Sequence, residues 1–369
     1  MSIPGGRSCP GGELLYRFFE AVPSAETTVI VNCAGRTRSI VGTQSLVNAG
    51  VPNRVVALRN GTIGWVLEGL ELDTKKSESI GKPADEARTR ARKYAEEWAE
   101  HVGVSFIDET RLREFAAEED RTLYLLDVRD PGEYASGHPV GFVNAPGGQL
   151  VQATDEWVGV RGARLVLYDT DGVRARMTAS WLVQLGWEVY VFDEKSTVPG
   201  DLKMVSGPSW TPPKSGSITV DDFHNLREKA IVDLARSPSY RKGHIPGAWF
   251  TSGPELARDL KAIPGNGPII LTSPDGNIAA ANIKDASKAV SREVLYLAGG
   301  TAAWVAAGHE LETESRWLSE PIDVYKRPYE GTDNARKNMQ GYLDWEYGLV
   351  AQLANDGVAG FHVVRQRNI

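Results

Sequence analysis

Short apolar runs recur along the chain, and their surroundings repeat with them. VIVN at residues 29–32, LVLYD at 165–169 and IILTS at 269–273 each enter a short polar or glycine-containing loop. An alanine- and leucine-rich stretch with helical spacing follows each loop, and then a second β-type run: VVALRN at 55–60, EVYVFD at 188–193 and EVLYLAGG at 293–300. The order strand, loop, helix, strand thus occurs three times, which predicts an α/β chain built from repeated modules.

A further shared piece precedes the second and third copies, at 123–146 (LYLLDVRDPGEYASGHPVGFVNAP) and 230–250 (AIVDLARSPSYRKGHIPGAWF). In both, a strand ends on an aspartate with an arginine close behind, Asp127 with Arg129 and Asp233 with Arg236, and a Gly-His turn follows at His138 and His244. These pairs read as structural ion pairs, and the histidines as turn and packing residues. Copy one lacks this piece and retains only PGGELL at 10–15, the counterpart of PGGQLV at 146–151. It is therefore expected to be incomplete on its N-terminal side.

These repeats set the expected domains. Residues 1–75 form the first module, 76–104 a charged helical linker, 105–200 the second module, 201–217 a linker, 218–315 the third module and 316–369 a helical tail. The apolar spacing of the tail predicts one amphipathic helix ending at Gly357 and packing across domains. Trp65 and Trp304, at matching places in copies one and three, are expected to plug cores.

Composition narrows the function. With 369 residues, 41% hydrophobic and 24% charged, the chain suits two to four globular domains. A net charge of -7 without a clustered basic stretch argues against nucleic acid as a partner. No apolar run approaches the roughly 20 residues that span a bilayer, and the N-terminal stretch lacks a signal-peptide pattern, so neither membrane insertion nor secretion is expected. Two cysteines, Cys9 and Cys33, support neither a disulfide framework nor a metal site. A reduced cytoplasmic setting and the absence of a cofactor are the expectations.

The chemistry concentrates in CAGRTRS, between the first strand and its helix. A cysteine at that junction faces unpaired backbone N–H groups and the positive end of the helix dipole, both of which favour thiolate. Cys33 is the candidate nucleophile. Gly35 lets the backbone curl into an anion cradle to which Ala34, Thr37 and Ser39 contribute, and Arg36 and Arg38 add positive charge. Arg38 is the stronger of the two, because Arg174 recurs at its place in copy two; that recurrence equally suits a role in loop shape. Asp169 stands where Cys33 stands in copy two, and Ser273 in copy three. Pro274 removes a cradle N–H there, and Asp275 replaces Gly35 with a negative charge. Neither loop has a thiol, and neither is expected to bind an anion well. Cys9, in a Pro-Gly-Gly context, reads as incidental, or else as a resolving or acceptor thiol.

The loop CAGRTRS followed by NGTIGW at 60–65, with DVRDPGEYASGH, GHIPGAW and AGGTAAW further on, resembles the rhodanese family of sulfurtransferases. The resemblance covers three tandem copies up to about residue 315. It implies α/β tandem rhodanese-like domains, each a small parallel sheet flanked by helices. It also implies a cysteine that takes sulfane sulfur from thiosulfate or a related anionic donor as a persulfide and passes it to cyanide or a thiol. A phosphatase is the first rival. Its loop needs five residues between cysteine and arginine, whereas Arg38 follows Cys33 after four and Ser39 occupies the required place. A scaffold or sulfur-sensing protein of rhodanese-like modules is the second.

Overall fold

The computed structural model describes residues 2–74, 78–193, 195–202, 210–324 and 335–365. The chain divides into two compact units, one formed by Met1–Ser206 with Pro328–Ile369, the other by Gly207–Arg327. The first unit holds modules one and two with the C-terminal helix. The second holds module three.

Module one comprises α1 (Leu14–Ala21), β1 (Val29–Val31), α2 (Thr37–Ala49), β2 (Val55–Ala57) and α3 (Gly61–Leu67). Its sheet has two parallel strands, with Val29, Ile30 and Val31 facing Val55, Val56 and Ala57. Helix α4 (Asp85–Val102) follows. The expected linker is more than a connector, because its alanine stripe buries Ala91, Ala95 and Ala99 with Trp98, and most of these pack with Leu15, Phe18, Phe19 and Leu46 of module one.

Module two runs through β3 (Ser105–Ile107), α5 (Glu109–Ala117), β4 (Leu123–Asp127), α6 (Pro131–Ser136), β5 (Val143–Asn144), α7 (Gly147–Gln152), β6 (Arg164–Tyr168), α8 (Arg174–Gln184) and β7 (Glu188–Phe192). The five strands pair in parallel in the order β3-β7-β6-β4-β5. Both faces of this sheet are covered, which explains the continuous apolar runs. Leu126, Leu165, Leu167 and Val191 pack to one side, and Leu125, Val166 and Phe192 pack with Phe115 of α5 to the other.

The second unit repeats this plan with β8 (Ser217–Ile218), α9 (Val220–Asn225), β9 (Ala230–Asp233), α10 (Ser237–Lys242), β10 (Trp249–Phe250), α11 (Leu256–Asp259), β11 (Ile269–Thr272), α12 (Asn277–Ala289), β12 (Val294–Leu297), α13 (Gly300–Ala306) and β13 (Arg316–Trp317). Its sheet runs β13-β10-β9-β11-β12-β8. The last strand lies beyond residue 315, so this sheet extends into what the sequence pattern assigns to the tail. In the first unit the tail forms α14 (Ala335–Asp356), ending one residue before Gly357. The stretch after it lies along module two, where Arg161 donates to the Val358 carbonyl and the His362 N–H donates to that of Gln184. Residues 203–209 of the expected second linker, 75–77 of the first and 325–334 of the tail lie outside the described residues.

Module one differs from the others on one face. Ile30 is 61% exposed, whereas its counterparts Val166 and Ile270 are both at 0%. In the other two modules a strand–helix–strand half covers this face, with Phe115 or Phe223 at its centre.

Two expectations need correction. Trp304 is buried against Phe223, but Trp65 is only half-buried. Asp127 and Arg129 do form a buried ion pair, and Arg129 reaches on to the Gly137 carbonyl at 2.9 Å. Asp233 and Arg236 do not. Arg236 is exposed, and the Asp233 carboxylate instead accepts the Ala235 N–H at 2.7 Å.

Burial, opposed in part by that hydrogen bond and by His244, pushes Asp233 up to about 6. The unfolded chain ionises it near pH 4. Stability therefore falls as pH rises from about 4 to 6, and then levels off. Asp233→Asn keeps the acceptor and removes the ionisation. Relative to wild type, it should gain about 2–3 kcal/mol between pH 4 and 7. Hydrogen exchange of the β9 amides, compared between the two proteins at each pH, reads this difference.

Candidate functional site

Cys33 sits in the loop between β1 and α2, and its setting depends on α3. The N–H of Thr62 donates to the Cys33 carbonyl and that of Ile63 to the Ala34 carbonyl, each at 2.9 Å. In a trans peptide the N–H points opposite to the carbonyl of the same plane. These two bonds therefore turn the N–H groups of Ala34 and Gly35 away from α3, as an anion cradle requires. The close approach needs Gly61, which has φ +55° and where a Cβ would lie 2.1 Å from the Cys33 carbonyl oxygen. The same device recurs in module three, where Thr301 and Ala302 donate to the carbonyls of Ser273 and Pro274 beside Gly300 at φ +57°.

The thiol of Cys33 lies 3.5 Å from Ser39 Oγ, which is buried in the first turn of α2 and donates to the Arg36 carbonyl at 2.9 Å. Cys33, Ala34, Thr37 and Arg38 line a cavity of about 820 Å³, together with Arg7, Cys9, Glu78, Met177 and Trp181. Ser39 stands behind the sulfur. Gly35 and Arg36 face α14 instead: the Arg36 guanidinium stacks 3.8 Å from the ring centre of Tyr347, and a Cβ on Gly35 would lie 2.6 Å from Tyr342. Of the two loop arginines, only Arg38 reaches the cavity.

Cys9 shares that cavity, which its sequence context did not indicate. Burial, only partly offset by Arg17, pushes its thiol up to about 12, so it is protonated near neutral pH. That suits a passive wall residue better than an attacking thiol.

The other two loops are already filled. Asp169 accepts the N–H groups of Gly172 and Ala175, and Asp171 those of Val173 and Arg174, so module two spends its loop amides on its own carboxylates. Arg174, the counterpart of Arg38, is 1% exposed and bound to Asp171, Glu13 and Glu133. It is a structural hub joining modules one and two. In module three the buried Ser273 hydroxyl accepts the Ala279 N–H at 3.3 Å and Asp275 that of Asn277 at 2.9 Å. His138 and His244 stack on Tyr134 and Tyr240 in their Gly-His turns, far in sequence from the Cys33 loop.

Sequence reasoning missed two contributors, the capture of the loop carbonyls by α3 and the contact with α14. The first had a signal in the repeated Asn-Gly-Thr and Gly-Gly-Thr that open α3 and α13. The second joins residues about 300 positions apart and, among the described residues, has no counterpart in the other copies.

Parallel sheets flanked by helices, with a cysteine in the loop between a strand and a helix, define a rhodanese-type α/β protein. The chain belongs to the rhodanese family. The model of the rhodanese-like domain matches residues 110–194 and 219–307, within modules two and three. The crystal structure of thiosulfate sulfurtransferase from Pseudomonas aeruginosa is similar at 47% identity, with a TM-score of 0.85 over 99% of this chain and 70% of that one. A rhodanese-related protein from Thermoplasma volcanium (20% identity, TM-score 0.25) covers 27% of this chain and 98% of its own. The rhodanese-like domain of an Anabaena protein (22% identity, TM-score 0.25) covers 30% and 90%. No curated protein matches the chain.

The role of α3 can be tested directly. Gly61→Ala places a methyl group against the Cys33 carbonyl and should release the loop. Iodoacetamide should then label Cys33 about tenfold more slowly at neutral pH as the thiolate loses its amides, with the circular dichroism spectrum retained. An unchanged rate would show that α3 does not shape the loop.

Proposed function

We propose that the protein is a sulfurtransferase that carries sulfane sulfur as a persulfide on Cys33, taken from thiosulfate or a similar anionic donor and passed to cyanide or a thiol. The observation that carries this reading is the cysteine in an amide-lined loop opening on a cavity with Arg38 and Arg7 at its wall. The name and 47% identity of the Pseudomonas relative support it.

In the first step the Cys33 thiolate attacks the outer sulfur of thiosulfate. A new sulfur–sulfur bond forms at Cys33, the bond inside the donor breaks, and sulfite leaves with the electron pair. Arg38 holds the leaving anion, and the loop amides stabilise the charge on the outer persulfide sulfur. In the second step the acceptor attacks that outer sulfur and Cys33 departs as thiolate. No general base is required, and among the described residues no histidine lines the cavity. The cavity greatly exceeds a thiosulfate ion in volume, which leaves room for the organic part of a thiol acceptor. Modules two and three serve as scaffold under this reading. Two free thiols suit a reducing compartment, and we assign the protein to the cytoplasm.

Thiocyanate formation from thiosulfate and cyanide tests the assignment. Cys33→Ser should reduce turnover at least about a hundredfold, because a serine hydroxyl has no accessible anion at neutral pH. Arg38→Gln should raise the thiosulfate KM by about tenfold through loss of a charge-assisted contact. A Cys33→Ser protein that retained most of its turnover would refute the assignment.

A further inference from the structure

Helix α14 reaches the Cys33 loop across α3 of module one. Ile63 of α3 is 1% exposed under Met339 and Leu343, whereas Ala302, its counterpart in module three, is exposed. Arg336 at the start of the helix donates to the carbonyls of Val66 and Leu67. One turn is then laid against the loop. Glu346 Oε1 accepts hydrogen bonds from the Thr37 hydroxyl at 2.7 Å and the Tyr342 hydroxyl at 2.8 Å, and Glu346 Oε2 lies 3.2 Å from where a Cβ on Gly35 would stand.

Glu346 is 5% exposed, yet Oε2 is buried without a hydrogen-bond partner, and no ion pair reaches this carboxylate among the described residues. Both hydroxyls donate to the same oxygen, which leaves the other without a partner. Arg36, which could have compensated it, lies over the Tyr347 ring. An uncompensated buried charge is costly. Here it is held against an anion-binding loop.

We propose that Glu346 is a positioning and specificity-setting residue of the Cys33 site: it holds the loop through Thr37, and its charge weakens the binding of doubly charged thiosulfate, which remains a donor, relative to singly charged donors such as organic persulfides. This rests on the reading of Cys33 as the sulfur acceptor. Modules two and three carry acidic groups in their own loops, Asp171 and Asp275 at the place of Gly35. In module one the negative charge comes from α14 instead.

The test compares alkylation of Cys33 by iodoacetate, an anion, and iodoacetamide, its neutral analogue, by peptide mass mapping in the full-length protein. The ratio of the two rates cancels any change in thiolate fraction. Removing one charge in Glu346→Gln should raise the iodoacetate-to-iodoacetamide ratio about threefold to tenfold, and Glu346→Asp should leave it near the wild-type value. The thiosulfate KM should fall in the glutamine variant by a larger factor than the ratio rises, because thiosulfate carries two charges. Glu346→Ser carries the same test on a smaller side chain should the glutamine variant unfold. A ratio unchanged by loss of the charge overturns the proposal, even if the protein transfers sulfur. A raised ratio in a protein without Cys33-dependent turnover upholds the electrostatic role and refutes the sulfurtransferase reading instead.

Discussion

Two backbone hydrogen bonds, from Thr62 and Ile63 to the carbonyls of Cys33 and Ala34, decide which way the peptide planes of the loop face. Everything proposed for Cys33 depends on that orientation. Module three makes the same pair of bonds to Ser273 and Pro274, so the device belongs to the fold rather than to the chemistry. The residues placed on the shared backbone decide whether the cradle is open. In module two it holds Asp169 and Asp171, and in module three Ser273 and Asp275 spend its amides. Module one has a cysteine and Gly35 at the corresponding places.

The price of an open cradle is a loop with little side-chain support of its own. Asp169 closes its loop by accepting two amides, whereas Cys33 makes only a 3.5 Å contact with Ser39. Support comes from outside the module: α3 beneath the carbonyls, and α14 against Gly35, Arg36 and Thr37. Module two is tied to the same region by Arg174, whose buried guanidinium holds Glu13 next to the first helix. Two catalytically unpromising elements, a filled loop and a remote helix, thus stabilise the one loop that holds a cysteine.

Much of this was legible in the sequence because it is periodic or repeated. The three copies, the loop cysteine and the contrast with Asp169 and Ser273 follow from aligning the chain with itself, and the tail helix follows from its apolar spacing. The failures have physical causes. Trp65 matches Trp304 in sequence but not in burial, because burial depends on what packs against the ring and not on the motif that holds it. Arg236 follows Asp233 as Arg129 follows Asp127, but one residue later, and the extra residue turns it out to solvent. Arg36 and Arg38 are alternate residues at the start of a helix and so point to different faces; sequence cannot tell which face meets the cavity. Glu346 was invisible because its importance comes from a contact across the whole chain and not from its neighbours.

The account comes down to which sulfur atom in the protein is the acceptor. Cys9 and Cys33 line the same cavity; burial holds the Cys9 thiol protonated near neutral pH, whereas Cys33 stands in the loop whose carbonyls α3 captures. Incubation of the reduced full-length protein with thiosulfate near pH 7, followed by alkylation and peptide mass mapping, locates the added sulfur. The account predicts one extra sulfur atom on the peptide carrying Cys33 and none on that carrying Cys9. Added sulfur on Cys9, or on neither peptide, would contradict it.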